Sequence, residues 1–142
     1  AGRQPIWPAG QVGAISHSTD FAAAIVSCDV MSVGLDIERL GRIKEKLYDK
    51  FFTPSELASI NEMTDWEVDT IIFSAKESIY KAIYFILTRY VSFKEVELTL
   101  NAEDSSFSVS YIGENMASLR NHKTRGYWSV FKGHVLTVVE IR

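Results

Sequence analysis

The chain has one cysteine, three prolines and no long uninterrupted apolar run, and each shortage excludes something. A lone thiol, Cys28, cannot form a disulfide within the chain, so a reducing, cytoplasmic setting is the simpler expectation. No neighbouring motif activates it, and a small buried apolar residue is expected there rather than a nucleophile. A membrane-spanning helix needs about 18 or more consecutive apolar residues. The longest contender, from Ile79 to Leu87, is interrupted by Lys81, so no membrane span is expected. The opening Ala1-Gly2-Arg3-Gln4-Pro5 has neither the apolar centre of a signal peptide nor an initiator Met, and a processed or truncated piece is expected. A net charge of −3 argues against non-specific nucleic-acid binding, which rests on neutralising phosphates. Phosphate-binding Walker loops, nucleophilic triads and Cys/His zinc spacings are also missing.

What is present suits one folded domain. Of 142 residues, 46% are hydrophobic and 23% charged, enough to build a core without a metal or disulfide scaffold. Arg39, Arg42, Lys44, Lys46 and Lys50 fall within a dozen positions, diluted by Glu45 and Asp49. Such a run is either a solvated face or a docking patch for an acidic partner.

Residues 1–10, with Gly2, Pro5, Pro8 and Gly10, read as an extended loop. Val12 to Ser18 and Phe21 to Ser27 read as strands around a Ser-Thr-Asp turn. Val33 to Glu38 alternates apolar and polar, the period of a half-buried strand. Arg42 to Phe52 has helical spacing, and Thr53-Pro54-Ser55-Glu56 is a helix start with a capping box. The longest helix is expected over about Glu67 to Tyr90. Ile72, Ala75, Ile79, Ala82, Ile83 and Ile86 form one stripe, and Phe73, Tyr80, Tyr84 and Leu87 another, so burial on more than one side is expected. Val96 to Leu100, Phe107 to Ile112, Tyr127 to Phe131 and Val135 to Ile141 read as strands. The expected class is α+β: an antiparallel or mixed sheet packed against a long buried helix.

Three groups could carry chemistry. Asp36 and Glu38 stand two apart on a strand and so share a face, with Leu35 and Ile37 entering the core. Paired carboxylates repel, and a bound Mg²⁺ is one reason to keep them together. Taken alone, the pair reads rather as two solvated acids on an exposed strand face. Lys76, Glu77 and Lys81 are the only charges between Ile71 and Leu87. Glu77 and Lys81 are one turn apart and can pair, either at a surface or partly buried with a metal or ligand as partner. His17, in Ile15-Ser16-His17-Ser18 at a strand end, is either structural or a contact to a phosphate.

Taken in order, these segments resemble the 4′-phosphopantetheinyl transferase superfamily, with the two-lobed surfactin- and enterobactin-type enzymes as the nearer branch. The likeness rests on Trp7-Pro8-Ala9-Gly10 with Gly13-Ala14-Ile15-Ser16-His17-Ser18, on Val33-Gly34-Leu35-Asp36-Ile37-Glu38, on Phe51-Phe52-Thr53-Pro54-Ser55-Glu56, and on Phe73-Ser74-Ala75-Lys76-Glu77-Ser78 with Tyr80-Lys81-Ala82. It covers roughly residues 5 to 90. The resemblance implies transfer of phosphopantetheine from coenzyme A to a carrier-protein serine. It implies Asp36, Glu38 and Glu77 as Mg²⁺ ligands and Glu77 as an aid to deprotonating the serine. Lys81 would oppose charge on the departing phosphate, Lys76 would lie near the pantetheine arm, and His17 would meet the 3′-phosphate. Glu56 matches an acidic position near the metal. An acidic acyl, aryl or peptidyl carrier would suit the basic cluster, in siderophore or nonribosomal-peptide assembly.

On the same resemblance, residues 1–11 are expected to be an interlobe loop or the end of a missing N-terminal lobe, and residues 12–142 a C-terminal-type lobe. Two alternatives remain open at this point: a carrier- or coenzyme A-binding module without turnover, and a self-associating, single-lobe trimeric holo-(acyl-carrier-protein) synthase.

Overall fold

A computed structural model describes residues 4–63 and 67–142. Two strands, β1 (Val12–His17) and β2 (Ala22–Ser27), form an antiparallel hairpin with Val12 opposite Ser27 and His17 opposite Ala22. The chain continues through β3 (Ser32–Arg39), a 3-10 turn (Glu45–Leu47), α1 (Tyr48–Phe51), α2 (Pro54–Glu62) and α3 (Val68–Leu87). After a second 3-10 turn (Phe93–Glu95) come β4 (Val96–Asn101), β5 (Ser106–Tyr111), α4 (Ala117–Arg120), β6 (Thr124–Phe131) and β7 (His134–Ile141). The second sheet is antiparallel, in the order β3-β7-β6-β5-β4. This is the expected α+β architecture.

The sheet's core face is covered by α3, which lies chiefly on β3 and β7. Ile72, Ala75, Ile79, Ala82 and Ile83 are buried in the main apolar cluster with Val96, Leu98, Phe107, Val139 and Ile141. Burying each Ile side chain contributes about 1.5–3 kcal/mol. Among the described residues no helix is long and apolar enough to cross a membrane.

Three local expectations need correction. The stretch from Arg42 to Phe52 is not one helix: it holds only the 3-10 turn and the four-residue α1. Tyr48 Oη, donating to Asp69 Oδ2 at 2.7 Å, and the buried Phe52 fix it by tertiary contacts instead. The long helix stops at Leu87, where Thr88 takes a left-handed conformation (φ 51°) and turns the chain toward Phe93. Cys28 is exposed beyond the end of β2, not buried. The capping box does form, with Thr53 N–H donating to Glu56 Oε2 at 2.9 Å and Glu56 N–H to Thr53 Oγ1 at 3.3 Å.

Strand β3 departs further from its alternation, because residues 32–38 are all buried. Val33, Leu35 and Ile37 are buried outside the main cluster, while Gly34 and Asp36 turn toward α3. The acids thus enter the helix–sheet interface, which is the reverse of the expected arrangement. Small residues make the approach possible. Ser32 Oγ donates to Ala82 O at 2.6 Å. Ser74 Oγ and Ser78 Oγ each lie 2.9 Å from Thr137 Oγ1. A methyl group on Gly34 would overlap the Ser78 carbonyl oxygen, a backbone atom that cannot swing away. Gly34→Ala is therefore expected to force α3 off β3 and destabilise the fold by about 2–4 kcal/mol, beyond the 1–3 typical of overpacking because backbone must move. Urea unfolding checks this; an unchanged midpoint would refute the close contact.

Candidate active site

The carboxylate of Asp36 sits at the centre of the interface between β3 and α3. Its Oδ2 accepts from Ser74 Oγ at 3.0 Å. Its Oδ1 accepts from Lys81 Nζ at 3.0 Å and lies 3.4 Å from Ser16 Oγ. Lys81 Nζ also donates to the Leu35 carbonyl at 2.9 Å. Lys81 thus reaches across to β3 and pairs with Asp36, rather than with Glu77 one turn earlier. Side chains four apart on a helix are neighbours, but a buried carboxylate on the facing strand offers the cation a stronger partner.

Glu38 follows Asp36 on the same face, near the end of β3. Its carboxylate is held by the Arg42 guanidinium. Burial pushes the Glu38 carboxyl up to about 7, the charge of Asp36 adds to the rise, and Arg42 opposes it. The Glu77 carboxyl is also raised, first by burial and then by Asp36, with Lys81 and Arg42 opposing. Asp36, Glu38 and Glu77 therefore share one electrostatic neighbourhood, flanked by two cationic side chains. They do not close into a cage: among the described residues no three His, Cys, Asp or Glu side chains gather as a ready-made metal group. Instead, Lys81 pairs with Asp36 and Arg42 with Glu38. By donor chemistry the set fits Mg²⁺, which takes hard oxygen ligands and a small number of carboxylates.

His17 is exposed at the end of β1. With Ser18, Thr19, Glu38, Arg39, Gly41 and Arg42 it borders an open cleft of about 420 Å³. One cleft thus joins His17 to the acid cluster through Glu38. Another cavity, about 530 Å³ and lined by Trp7, Met31 and Phe85 among others, holds none of these acids.

Lys76 is elsewhere. Its side chain is completely buried, with Nζ 2.7 Å from Glu56 Oε2, 3.0 Å from Phe51 O and 2.7 Å from Phe93 O. All three donors are used, leaving none for a pantetheine arm. Glu56 is equally committed: Oε2 serves Lys76 and the Thr53 N–H, and Oε1 accepts from Leu98 N–H at 2.8 Å. Burial raises the Glu56 carboxyl and lowers the Lys76 ammonium, and each opposes the other's shift. The pair ties α2, α3 and β4 together around the aromatic rings of Phe51, Phe73 and Phe93.

Sequence reasoning missed Ser16, Ser74, Ser78 and Thr137. Ser74 and Ser78, four apart on a largely apolar helix, were the available signal for a buried polar seam. In the basic cluster, Arg39 pairs with Asp20 at 3.2 Å and Arg42 with Glu38, while Lys44 and Lys46 are exposed and Lys50 lies over the Phe51 ring.

The model of the 4′-phosphopantetheinyl transferase superfamily matches residues 32–139, and that of the 4′-phosphopantetheinyl transferase N-terminal domain matches residues 1–27. The chain belongs to the 4′-phosphopantetheinyl transferase superfamily. It is 28% identical over 146 residues to 4′-phosphopantetheinyl transferase PptT of Mycobacterium tuberculosis, covering 96% of this chain and 64% of that protein. It is 32% identical over 120 residues to enterobactin synthase component D of Escherichia coli, covering 77% and 57%. The chain therefore spans roughly three fifths of the length of these relatives. In fold it is similar to holo-(acyl-carrier-protein) synthase of Helicobacter pylori, solved with coenzyme A: TM-score 0.61, 21% identity, 78% of this chain and 99% of that one. The Neisseria meningitidis synthase gives a TM-score of 0.64 at 20% identity, over 80% and 98%.

Two outcomes test this arrangement. Lys76→Met leaves the Glu56 carboxylate buried without a counter-charge, and a loss of about 3–5 kcal/mol is expected in urea unfolding. The double variant Glu56→Gln, Lys76→Met should lose less. Glu38 gives the second. Because its pKa rises from 4.5 to about 7 on folding, the folded chain keeps that proton to higher pH than the unfolded chain. The contribution of this group is thus fully present below about 4.5 and is lost as pH rises through about 7. Unfolding of the metal-free chain at pH 5 and pH 8 should show that fall, and Glu38→Gln should flatten it.

Proposed function

We propose that this chain carries the catalytic lobe of an enzyme that moves 4′-phosphopantetheine from coenzyme A to a serine of an apo carrier protein. What supports the reading is that Asp36 pairs with Lys81 and its charge acts on the Glu38 and Glu77 carboxyls, and that Glu38 and Arg42 border one cleft with His17. The order of motifs and the family membership agree with it.

In this reading the carrier serine Oγ attacks the phosphorus that bears pantetheine. The bond from that phosphorus to the bridging oxygen breaks, and 3′,5′-ADP leaves with the electron pair. Such transfers depend mainly on positioning and on neutralising charge. Glu77, its carboxyl raised by burial and by the charge of Asp36, is the residue assigned to take the serine proton. Lys81 lies at the same site, where its ammonium opposes charge on the departing phosphate. Asp36, Glu38 and Glu77 would hold Mg²⁺, which supplies positive charge to the diphosphate. His17 would meet the 3′-phosphate. Lys76 has no part in binding here, since its donors are spent inside the fold.

The exposed Lys44, Lys46 and Lys50 suit an acidic carrier. The 32% identity to enterobactin synthase component D supports carriers of siderophore assembly as substrates.

Mass spectrometry of an apo-peptidyl carrier, after incubation with the chain, coenzyme A and Mg²⁺, tests the reading by the added phosphopantetheine. Glu77→Gln and Asp36→Asn, which keeps an acceptor for Ser74, should each reduce transfer at least about 100-fold while keeping the fold, in line with loss of a general base or a metal ligand. Transfer at the unaltered rate by either variant would sink the assignment.

A further inference from the structure

His134 is a buried histidine for which the transfer reaction has no use. It starts β7, is 4% exposed, and its Nε2 has no hydrogen-bond partner among the described residues. Nδ1 lies 2.9 Å from the Lys132 carbonyl oxygen. A carbonyl only accepts, so Nδ1 carries the hydrogen, and Nε2 gains one only when the ring is protonated. Nε2 faces Asp20 Oδ2 from 3.7 Å, too long for a hydrogen bond and an ion pair only when the ring is protonated.

Asp20 belongs to the turn between β1 and β2, which follows directly on His17. The same Oδ2 receives Arg39 Nη2 at 3.2 Å, and Arg39 stands opposite His134 in the β3–β7 register. Phe21, the next residue, sets its ring edge-on against His134 and Phe131, with centroids 4.8 and 5.2 Å away. Inside the turn, Ser18 Oγ accepts from the N–H groups of Asp20 and Phe21 at 3.3 and 3.2 Å. Leu40 N–H, just past β3, bonds to Gly133 O at 2.9 Å. Two turns and the end of β3 are thus fastened at one point. That point adjoins the cleft bordered by His17, Ser18 and Thr19.

We infer that Asp20, held by Arg39 and, with its ring protonated, by His134, clamps the β1–β2 turn so that His17 and Ser18 face the cleft in a fixed position for the 3′-phosphate of coenzyme A. His134 and Asp20 are positioning residues, acting through His17 and its turn. A hairpin turn with exposed Thr19 and half-exposed Asp20 would otherwise lose that geometry to its own entropy. Fixing a binding group in advance lowers the cost of binding. The inference rests on the transferase reading.

Calorimetric titration of the full chain in Mg²⁺ with coenzyme A and with 3′-dephospho-coenzyme A tests it. The unaltered chain should bind coenzyme A the more tightly. His134→Phe keeps the ring packing and removes Nε2; Asp20→Asn alters a half-exposed side chain and leaves the core untouched. Each is expected to weaken coenzyme A about fivefold and dephospho-coenzyme A less than about twofold, with Asp20→Glu recovering part of the loss. If the unaltered chain binds neither compound, the transferase reading falls and takes this inference with it. If it discriminates and both variants discriminate equally well, the inference alone falls. Equal weakening toward both ligands, or tighter binding by either variant, also overturns it.

Discussion

The close contact of α3 with β3 is the constraint on which the site depends. Gly34 lets the Ser78 carbonyl sit against the strand, and Ser32, Ser74, Ser78 and Thr137 fill the seam with short hydroxyls. Larger side chains would separate helix from sheet by a full side-chain layer, as in ordinary packing near 10 Å. At this shorter range a strand carboxylate can meet a helix lysine, and Lys81 reaches Asp36 at 3.0 Å. The hydroxyls have a second effect: they hydrogen-bond inside the interface, so the seam is polar without leaving groups unpaired. Asp36 is one of their partners, which makes it part of the packing as well as of the site.

Much of this was legible in the sequence, for reasons that differ by element. The α3 stripe of Ile72, Ala75, Ile79 and Ala82 could be read because a 3.6-residue period marks burial directly. The capping box at Thr53 is local chemistry, and local chemistry survives folding. The strand period of β3 gave its existence but misled about its faces. Alternation says which residues share a face; it does not say which face meets the helix. Gly34 among larger neighbours was the clue that helix and strand approach closely there. From Arg42 to Phe52 the period was helical, yet tertiary contacts at Tyr48 and Phe52 decided the path.

The site was legible in composition more than in arrangement. Asp36 lies beside Lys81 and within the electrostatic reach of Glu38 and Glu77, but the partners differ from those that spacing suggests. Lys81 takes Asp36, and Arg42 takes Glu38. Long-range pairs of this kind depend on register between β3 and α3, which no local pattern records. Lys76 shows the same limit. Neighbouring Glu77 in sequence, it points to the other side of α3, because successive helix residues are turned by about 100°. There it meets Glu56 in a closed pocket.

The two buried charge groups divide structure from chemistry. At Glu56 and Lys76 one acid meets one base, every Lys76 proton has an acceptor, and backbone N–H groups fill the remaining carboxylate positions. Such a pair has nothing left to offer a ligand, and it can be exchanged for apolar residues at little cost only if both members change together. Around Asp36 the balance is unequal: three carboxylates face two cationic side chains. Burial and mutual repulsion raise the Glu38 and Glu77 carboxyls, so the free site holds unfavourable charge that a cation would relieve. Glu38 and Arg42 border an open cleft, which gives such a cation access. The fold thus keeps one charge group, the one that holds α2, α3 and β4 together, fully paired, and leaves the other with more carboxylates than cationic side chains.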